Sequence, residues 1–476
     1  MPVQKRIIYT SSLIAILLAF YCYNPFVLFF LSDDFIHIPL SAEGKFLQQN
    51  SFRPVCDLSV MLDYSLWGKQ AWGYHLTNLF LHIIACILFF SFFKLLFKKY
   101  TTIENSNFIC WLGTALFFIY AMHSEPVLWI LGRSAILATI FSLLFLYCFI
   151  RRHDAIHFKI GVIVFWILCL LTYESTWILP CYALLISIIA TKKKESSLRK
   201  EMPYYTLIIV IFVSYLLIRD NYIHEITGTY ESGFLLSGDY ILLEKHFILL
   251  LVRTFVPAFI NNKIVLGLFI LCTILFIWLL KKQENKSFVI LLFVCLLISL
   301  LPYISLGVDT NGTESERFLY FPTLIVVIIF ALIIANAKQQ KAYWLFTGLF
   351  AIHLAVLFPV KDNYVNAGAV NKQIAKALQT NADKKVIIAA EIPQAQNGAL
   401  ILRQGFPQML RWMNDETPDT IITCSQRYEL LPLQSPYKII LEDSLRFECG
   451  ENNLIIRGSS DTLLLKFTDS ALLISK

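Results

Sequence analysis

The chain has 476 residues, of which 57% are hydrophobic and only 15% are charged, and its mean hydropathy is +0.64. Apolar runs near twenty residues recur, each long enough to cross a bilayer, which excludes an ordinary water-soluble protein and indicates a polytopic membrane protein. The formal net charge of +7 requires no nucleic acid as a partner, because basic residues at cytoplasmic loop ends produce such an excess.

The membrane part, residues 1–360, is predicted to be α-helical with about eleven spans. The first apolar run is too long for the hydrophobic region of a signal peptide and is expected to stay as an uncleaved span. The segment 243–259, "LEKHFILLLVRTFVPAF", is expected to lie at the membrane interface or to re-enter it. The predicted spans lie near 7–31, 74–97, 107–122, 134–150, 160–173, 175–190, 204–218, 261–280, 287–304, 320–337 and 342–360.

The loops between these spans differ in charge. Basic residues fall in alternate loops, among them "KKKESSLRK" at 192–200 and "KKQENK" at 281–286, whereas the other loops are acidic or mixed. By the positive-inside rule, the basic loops and the N-terminus face the cytoplasm, and a bacterial inner membrane fits this pattern. The acidic loops and the tail after residue 360 are then expected on the extracytoplasmic side.

The tail, residues 361–476, has a different composition. It opens with a helical pattern, "VNKQIAKALQT", and continues with short strand-like runs broken by Gly, Pro, Asn and Asp. It is therefore predicted to be a small, mostly-β extracytoplasmic domain with some helix. Cys424 and Cys449 lie in it and form a disulfide or remain two free thiols. The strand-like runs are "KVIIAAEI", "TIITC", "YKIILE", "NLIIRG", "TLLLKF" and "ALLISK".

Two adjacent aspartates, Asp33 and Asp34, follow the first span and begin a long outer loop, 32–73. A lone aspartate at this place would mark the end of a span. Adjacent carboxylates repel each other, so holding both near lipid requires a compensating cation, a metal or hydrogen bonds. The pair and the long loop together indicate a site.

Other polar residues lie at the same predicted face. His75, Asn78 and His82 share one helical face, which by itself is better explained as a polar seam between two helices, with His75 nearest the mouth. Glu174 lies between two spans without a spacer, either at the surface or facing a cavity. Arg317 begins a late span with Tyr320 and can reach lipid headgroups or grip a phosphate. The remaining group is His123, Glu125 and Arg133, in one short outer turn.

Six short motifs in this order resemble those of GT-C glycosyltransferases, in the branch of membrane O-mannosyltransferase-like proteins that often carry tetratricopeptide repeats. The resemblance runs from about residue 30 to 325, and the chain departs from the branch because its tail contains strand-like runs in place of the repeats. Without the repeats, a protein acceptor that depends on them is not implied for this chain. The motifs are "SDDF", "FRPV", "GYHLTNLFLH", "YAMHSEPVLWILGRS", "LTYES" and "ERFLYFP".

The resemblance implies an enzyme that transfers a sugar from a polyprenyl-phosphate donor to an extracytoplasmic acceptor, a protein, lipid or polysaccharide of the cell envelope. One aspartate of the pair would be the general base, with Asp34 as first choice. The other would bind acceptor or a divalent cation such as Mg²⁺ or Mn²⁺. Arg133, Arg317 and Tyr320 would bind the donor phosphate. Residues around the substrate would be Arg53, His75, Asn78, His123, Glu125 and Glu174.

Two other functions remain open from the sequence. A surface-polysaccharide polymerase or ligase shares the many spans and outer arginines, but it would have a larger loop than 305–319 between late spans. A transporter or assembly scaffold would place charges deep within paired, broken helices, whereas here the charges collect at one face.

Overall fold

The fold is known from a computed structural model. The structure describes residues 17–46, 51–103, 106–192, 198–223, 240–258, 262–282, 286–308, 312–379, 385–413, 418–424, 426–429, 438–442, 445–449, 452–456, 461–468 and 471–475. The first half of the expected first span, up to residue 16, lies outside them.

The membrane part is α-helical, as predicted. Short α-helices and 3₁₀ turns lie between the helices that follow the apolar runs. The α-helices are α1 Asp34–Ala42, α2 Pro54–Trp67, α3 Ala71–Tyr100, α4 Ser106–Phe118, α5 Ser124–Leu128, α6 Arg133–Ile150, α7 Ile156–Leu170, α8 Leu179–Lys192, α9 Leu198–Ile223, α10 Tyr240–Phe255, α11 Asn262–Lys282, α12 Lys286–Leu300, α13 Tyr320–Ala335, α14 Gln339–Gln379 and α15 Phe406–Met413.

Within the described residues, each predicted span overlaps a helix, but fewer of these helices reach spanning length. Within the described residues, seven are long and apolar enough to cross a membrane, or eight if the bent pair α4 and 121–128 is one span. Two predicted spans correspond to shorter apolar helices, Leu17–Val27 and Ile156–Leu170. The eleven predicted spans therefore locate the helices correctly, while the number of full-length crossings among described residues is lower.

The helix bundle has a buried centre. The apolar residues of α6 and α13 are almost all buried inside the protein, whereas α9 and most of α14 expose theirs. An all-apolar helix can be buried in protein or exposed to lipid without loss, so hydropathy alone does not separate the two. The contacts identify α6 and α13 as the central helices.

The expected boundary between the two domains at residue 360 falls inside one continuous helix. α14 runs through 41 residues and contains Pro359. Its C-terminal half packs against the tail: the side-chain amide of Asn371 donates hydrogen bonds to the carbonyl oxygens of Phe30 (3.0 Å) and Ile401 (2.9 Å). The tail is thus joined to the segment that precedes Asp33 by direct contacts as well as by the chain.

The tail contains the predicted β structure. A five-stranded sheet has the order β4-β1-β9-β10-β6, in which β1 is parallel to both neighbours and β9 and β10 are antiparallel. A three-stranded sheet has the order β3-β2-β5, and β7 pairs with β8. The strands are β1 Val386–Ala390, β2 Ile392–Gln396, β3 Ala399–Leu400, β4 Thr420–Thr423, β5 Gln426–Glu429, β6 Lys438–Leu441, β7 Leu445–Cys449, β8 Asn452–Ile456, β9 Thr462–Phe467 and β10 Ala471–Ser475.

All six strand-like runs of the sequence form strands. Cys424 follows β4 and is disulfide-bonded. The side chain of Cys449, its candidate partner, lies outside the described part of the chain.

Candidate functional site

The two aspartates point in different directions. Asp34 is fully buried, and its Oδ2 accepts a hydrogen bond from the Leu31 backbone N–H at 2.9 Å. Burial raises the pKa of this carboxyl well above its ordinary value. Asp33, at the N-cap of α1, instead lines a cavity, and its Oδ1 accepts a hydrogen bond from the Ser32 hydroxyl at 3.1 Å. The two adjacent carboxyl groups therefore lie in different surroundings, one buried in the protein and one at the cavity.

The cavity lined by Asp33 has a volume of about 850 Å³. Several segments that are distant in the chain form its wall: residues 33–40, 51–57, 129–134, 242–246, 305–306, 314–318 and 400–404. The charge pattern predicts that every one of these segments is extracytoplasmic, and none of the basic loops contributes. The charged and histidine side chains in the wall are Asp33, His37, Arg53, Asp57, His246, Glu314, Arg317 and Arg403.

Arg53, in the motif "FRPV", lines the cavity and forms an ion pair with Glu174 of the motif "LTYES". Its Nε and Nη2 both lie 2.9 Å from Glu174 Oε2. The other oxygen of Glu174 accepts a hydrogen bond from Arg219 at 3.0 Å. The guanidinium of Arg53 also lies over the ring of Tyr173, 4.5 Å from its centroid. Two arginines share one carboxylate, so this wall of the cavity has an excess of positive charge unless Asp57 is ionised.

Arg317, in the motif "ERFLYFP", lines the cavity and is bound by Glu125 of the motif "YAMHSEPVLWILGRS". Its guanidinium forms an ion pair with Glu125, and its backbone N–H donates to the other oxygen of that carboxylate at 2.7 Å. The guanidinium carbon lies 5.3 Å from the ring centroid of Trp129, which also lines the cavity. Glu125 is therefore a support for Arg317, which remains partly exposed at 18%.

Arg133, the other arginine expected at the donor phosphate, lies outside the described cavity wall. It is buried, forms an ion pair with Asp63 at 2.6 Å and donates to the Tyr74 carbonyl oxygen at 3.2 Å. A guanidinium that is fully used by buried protein groups has no donor left for a ligand. Arg133 is the first residue of α6, and its side chain points toward α2 and α3, which contain Asp63 and Tyr74.

Five of the expected site residues form hydrogen bonds between separate segments of the bundle: His75, Asn78, His82, His123 and Tyr320. Asn78 donates to the carbonyl oxygens of Trp129 (2.9 Å) and Ile130 (3.2 Å). The imidazole of His82 bonds the Tyr320 hydroxyl at 2.7 Å. His75 bonds the Phe29 carbonyl oxygen (3.2 Å), and His123 bonds the Thr323 hydroxyl (2.8 Å). These groups are buried and absent from the described cavity wall, which agrees with the polar-seam interpretation.

Sequence reasoning missed Asp57 and Arg403. Asp57 is 7% exposed, lines the cavity beside Arg53, and its Oδ2 has no hydrogen-bond partner. Burial raises the pKa of Asp57 to about 7, against the lowering effect of Arg53. The signal for Asp57 was its place one helical turn after Arg53. Arg403, which pairs with Glu314, gave no signal because its tail segment resembles no motif.

The two aspartates do not face one common space. Asp34 is fully buried, and of the pair only Asp33 lines the cavity. Among the described residues, no group of three or more His, Cys, Asp or Glu side chains could hold a metal. The expected divalent cation at Asp33 or Asp34 stays a prediction.

Comparisons with known proteins agree with the motifs. No protein-family profile matches the chain. Over 120 residues, 25% of this chain, it is 35% identical to the protein O-mannosyl-transferase TMTC2 of Homo sapiens, and over 204 residues it is 26% identical to the protein O-mannosyl-transferase F38B6.6 of Caenorhabditis elegans. The matched regions cover 13% and 25% of those relatives. The predicted resemblance to membrane O-mannosyltransferase-like proteins is confirmed.

Among solved structures, the chain is similar to ArnT from Cupriavidus metallidurans. The crystal structure bound to undecaprenyl phosphate superimposes with a TM-score of 0.46 and 10% identity, and the apo structure with 0.48 and 9%. Each comparison covers 88% of this chain and 86% of that one.

Proposed function

We propose that this protein is an integral-membrane glycosyltransferase that moves a sugar from a polyprenyl-phosphate donor to an extracytoplasmic acceptor. One observation carries the proposal: Asp33, Arg53 and Arg317, from three motifs shared with the O-mannosyl-transferase branch, line the same cavity. An oxygen base and phosphate-binding cations around one space are what this transfer requires.

Asp33 is the general base in this mechanism. Its carboxylate faces the cavity and takes the proton of the acceptor hydroxyl as that oxygen attacks the anomeric carbon. Asp34 is assigned a supporting role, because its carboxyl is buried and its oxygen is used to close the turn at Leu31. This moves the base from Asp34, the first choice on sequence, to Asp33.

Arg317 and Arg53 stabilise the departing phosphate. As the new bond forms, the bond between the anomeric carbon and the phosphate oxygen breaks, and its electron pair leaves with polyprenyl phosphate. Forked guanidinium donors match phosphate oxygens and stabilise charge that grows in the transition state. Attack opposite the leaving group inverts the anomeric centre. Ion pairs with Glu125 and Glu174 hold both guanidinium groups in place without removing them from the cavity.

We assign the site to the extracytoplasmic side of the membrane. The support is the charge pattern of the sequence, because the segments that line the cavity are not the Lys- and Arg-rich loops. A lipid-linked donor suits that location, since its tail can remain in the bilayer while its phosphate reaches the interface. The curated relatives are named for O-mannosyl transfer, which makes polyprenyl-phosphate mannose the first donor to test.

The experiment compares Asp33→Asn with Asp34→Asn in purified protein in detergent, assayed for release of polyprenyl phosphate and for sugar transfer from polyprenyl-phosphate hexoses. Loss of a positioned base lowers turnover by about 10²–10⁴-fold in Asp33→Asn. Asp34→Asn keeps turnover within a few-fold, since an amide oxygen can still accept from Leu31. Normal turnover in Asp33→Asn contradicts the assignment. Activity only with lipid-diphosphate glycans would favour a polymerase or ligase.

A further inference from the structure

A loop of the C-terminal tail reaches both sides of the cavity. Residues 397–405, which we name the clasp, comprise the turn after β2, strand β3 and the segment that leads to α15. On one side, the Ser32 N–H donates to the Ile401 carbonyl oxygen at 2.8 Å. On the other, the Thr313 N–H donates to the Asn397 carbonyl oxygen at 3.4 Å. Within the clasp, Leu400, Arg403 and Gln404 line the cavity itself.

Two glycines let the clasp approach this closely. Gly405 has φ +86°, and a Cβ there would lie 2.7 Å from the Ser32 carbonyl oxygen. Gly398 has φ +85°, and a Cβ there would lie 2.2 Å from the Thr313 backbone nitrogen. Both positions combine a left-handed backbone with a contact too short for any side chain. The clasp is therefore fitted to the loops that carry Asp33 and Arg317.

Ser32 is the point at which the clasp meets the proposed base. It is fully buried and has φ +43°, a strained conformation for a residue other than glycine. Its hydroxyl accepts a hydrogen bond from the Gln404 N–H at 3.2 Å and donates one to Asp33 Oδ1 at 3.1 Å. A hydroxyl has a single proton, so the backbone donor from Gln404 directs that proton toward Asp33.

We propose that Ser32 is a positioning residue for Asp33 and that the clasp makes the C-terminal tail a working part of the transferase site. The chain of contacts runs from the Gln404 N–H through the Ser32 hydroxyl to the cavity carboxylate. It fixes the rotamer of Asp33 so that one oxygen, Oδ2, is presented to the acceptor. This inference rests on the proposed function, since it assigns Ser32 a role through the proposed base.

The test is Ser32→Ala in the full-length protein in detergent, with polyprenyl-phosphate mannose as donor or whichever hexose donor the wild-type protein uses. Alanine keeps the Cβ and the same backbone strain, so only the hydroxyl is lost. One hydrogen bond to a charged group corresponds to a fall in kcat on the order of tenfold or more. KM for the donor stays unchanged, because Arg53 and Arg317 are untouched.

Asn363→Ala is the matched control. Asn363 Oδ1 accepts from the Asn397 side-chain amide at 3.2 Å, so this variant loosens the far end of the clasp without touching Ser32 or Asp33. Its kcat is expected within twofold of wild type. In an Asp33→Glu background, the carboxylate is displaced by a methylene, and Ser32→Ala is expected to have little further effect on kcat.

The outcomes separate this inference from the proposed function. Wild-type kcat in Ser32→Ala, alongside an inactive Asp33→Asn, overturns the positioning role and leaves the transferase proposal intact. An equal loss from Ser32→Ala in both backgrounds overturns it too, because the effect would not pass through Asp33. Full turnover in Asp33→Asn would remove the function on which the inference rests.

Discussion

Replacing Asp57 with asparagine should change how the stability of this protein depends on pH. Burial raises the pKa of Asp57 from 3.8 to about 7. Each pKa unit is 1.36 kcal/mol, so the folded state disfavours the ionised carboxyl by about 4 kcal/mol. The stabilisation that the protonated carboxyl provides is fully present below pH 4 and is lost as the pH rises toward 7. Asp57→Asn has no proton to lose.

The free energy of unfolding of Asp57→Asn should therefore increase relative to wild type between pH 4 and pH 8, by up to about 4 kcal/mol. Thermal unfolding in detergent, followed by tryptophan fluorescence at several pH values, measures the difference. Asp154→Asn is the control for the same substitution at an exposed carboxylate, which forms an ion pair with Arg151. Parallel stability curves for wild type and Asp57→Asn would refute the reasoning, and so would a difference of opposite sign.

Two further predictions separate the arginines. Arg133→Met should destabilise the fold by roughly 3–5 kcal/mol, because it leaves the buried Asp63 without its cation. The thermal unfolding midpoint should rise again in the Arg133→Met/Asp63→Asn double variant. An unchanged midpoint in the single variant would argue against this. Arg317→Lys retains the charge next to Glu125 but loses the forked donors, so KM for the lipid donor should rise about tenfold while thermal stability stays near wild type; an unaltered KM would exclude Arg317 from the phosphate site.

The resemblance of the motifs becomes a set of contacts in the structure. The motifs "FRPV" and "LTYES" are joined by the ion pair between Arg53 and Glu174. The motifs "YAMHSEPVLWILGRS" and "ERFLYFP" are joined by the ion pair between Glu125 and Arg317. The sequence showed these residue types and their order, but pairs 121 and 192 residues apart leave no local pattern. Their function could be expected from the resemblance, whereas their pairing required the folded chain.

The sequence by itself determined where the helices and most strands lie. Hydropathy over about twenty residues marks a span, and alternation over five or six marks a strand, and both are local properties of the chain. In the part of the chain that the structure describes, each predicted span overlaps a helix, and all six strand-like runs form strands. Two of the missed strands, β2 "IPQAQ" and β5 "QRYE", are polar or interrupted by proline, so they lack that local signal.

Only the tertiary structure decided which polar groups face the cavity. Asp33 and Asp34 are chemically identical neighbours, and successive residues of a helix point about 100° apart, so one lines the cavity while the other is buried. Arg133 and Arg317 each pair with a carboxylate, but Arg133 is buried against Asp63, whereas Arg317 remains partly exposed in the cavity wall. The contact of the tail with Ser32 joins residues 372 positions apart. Direction and long-range proximity arise when helices pack, and composition and spacing do not encode them.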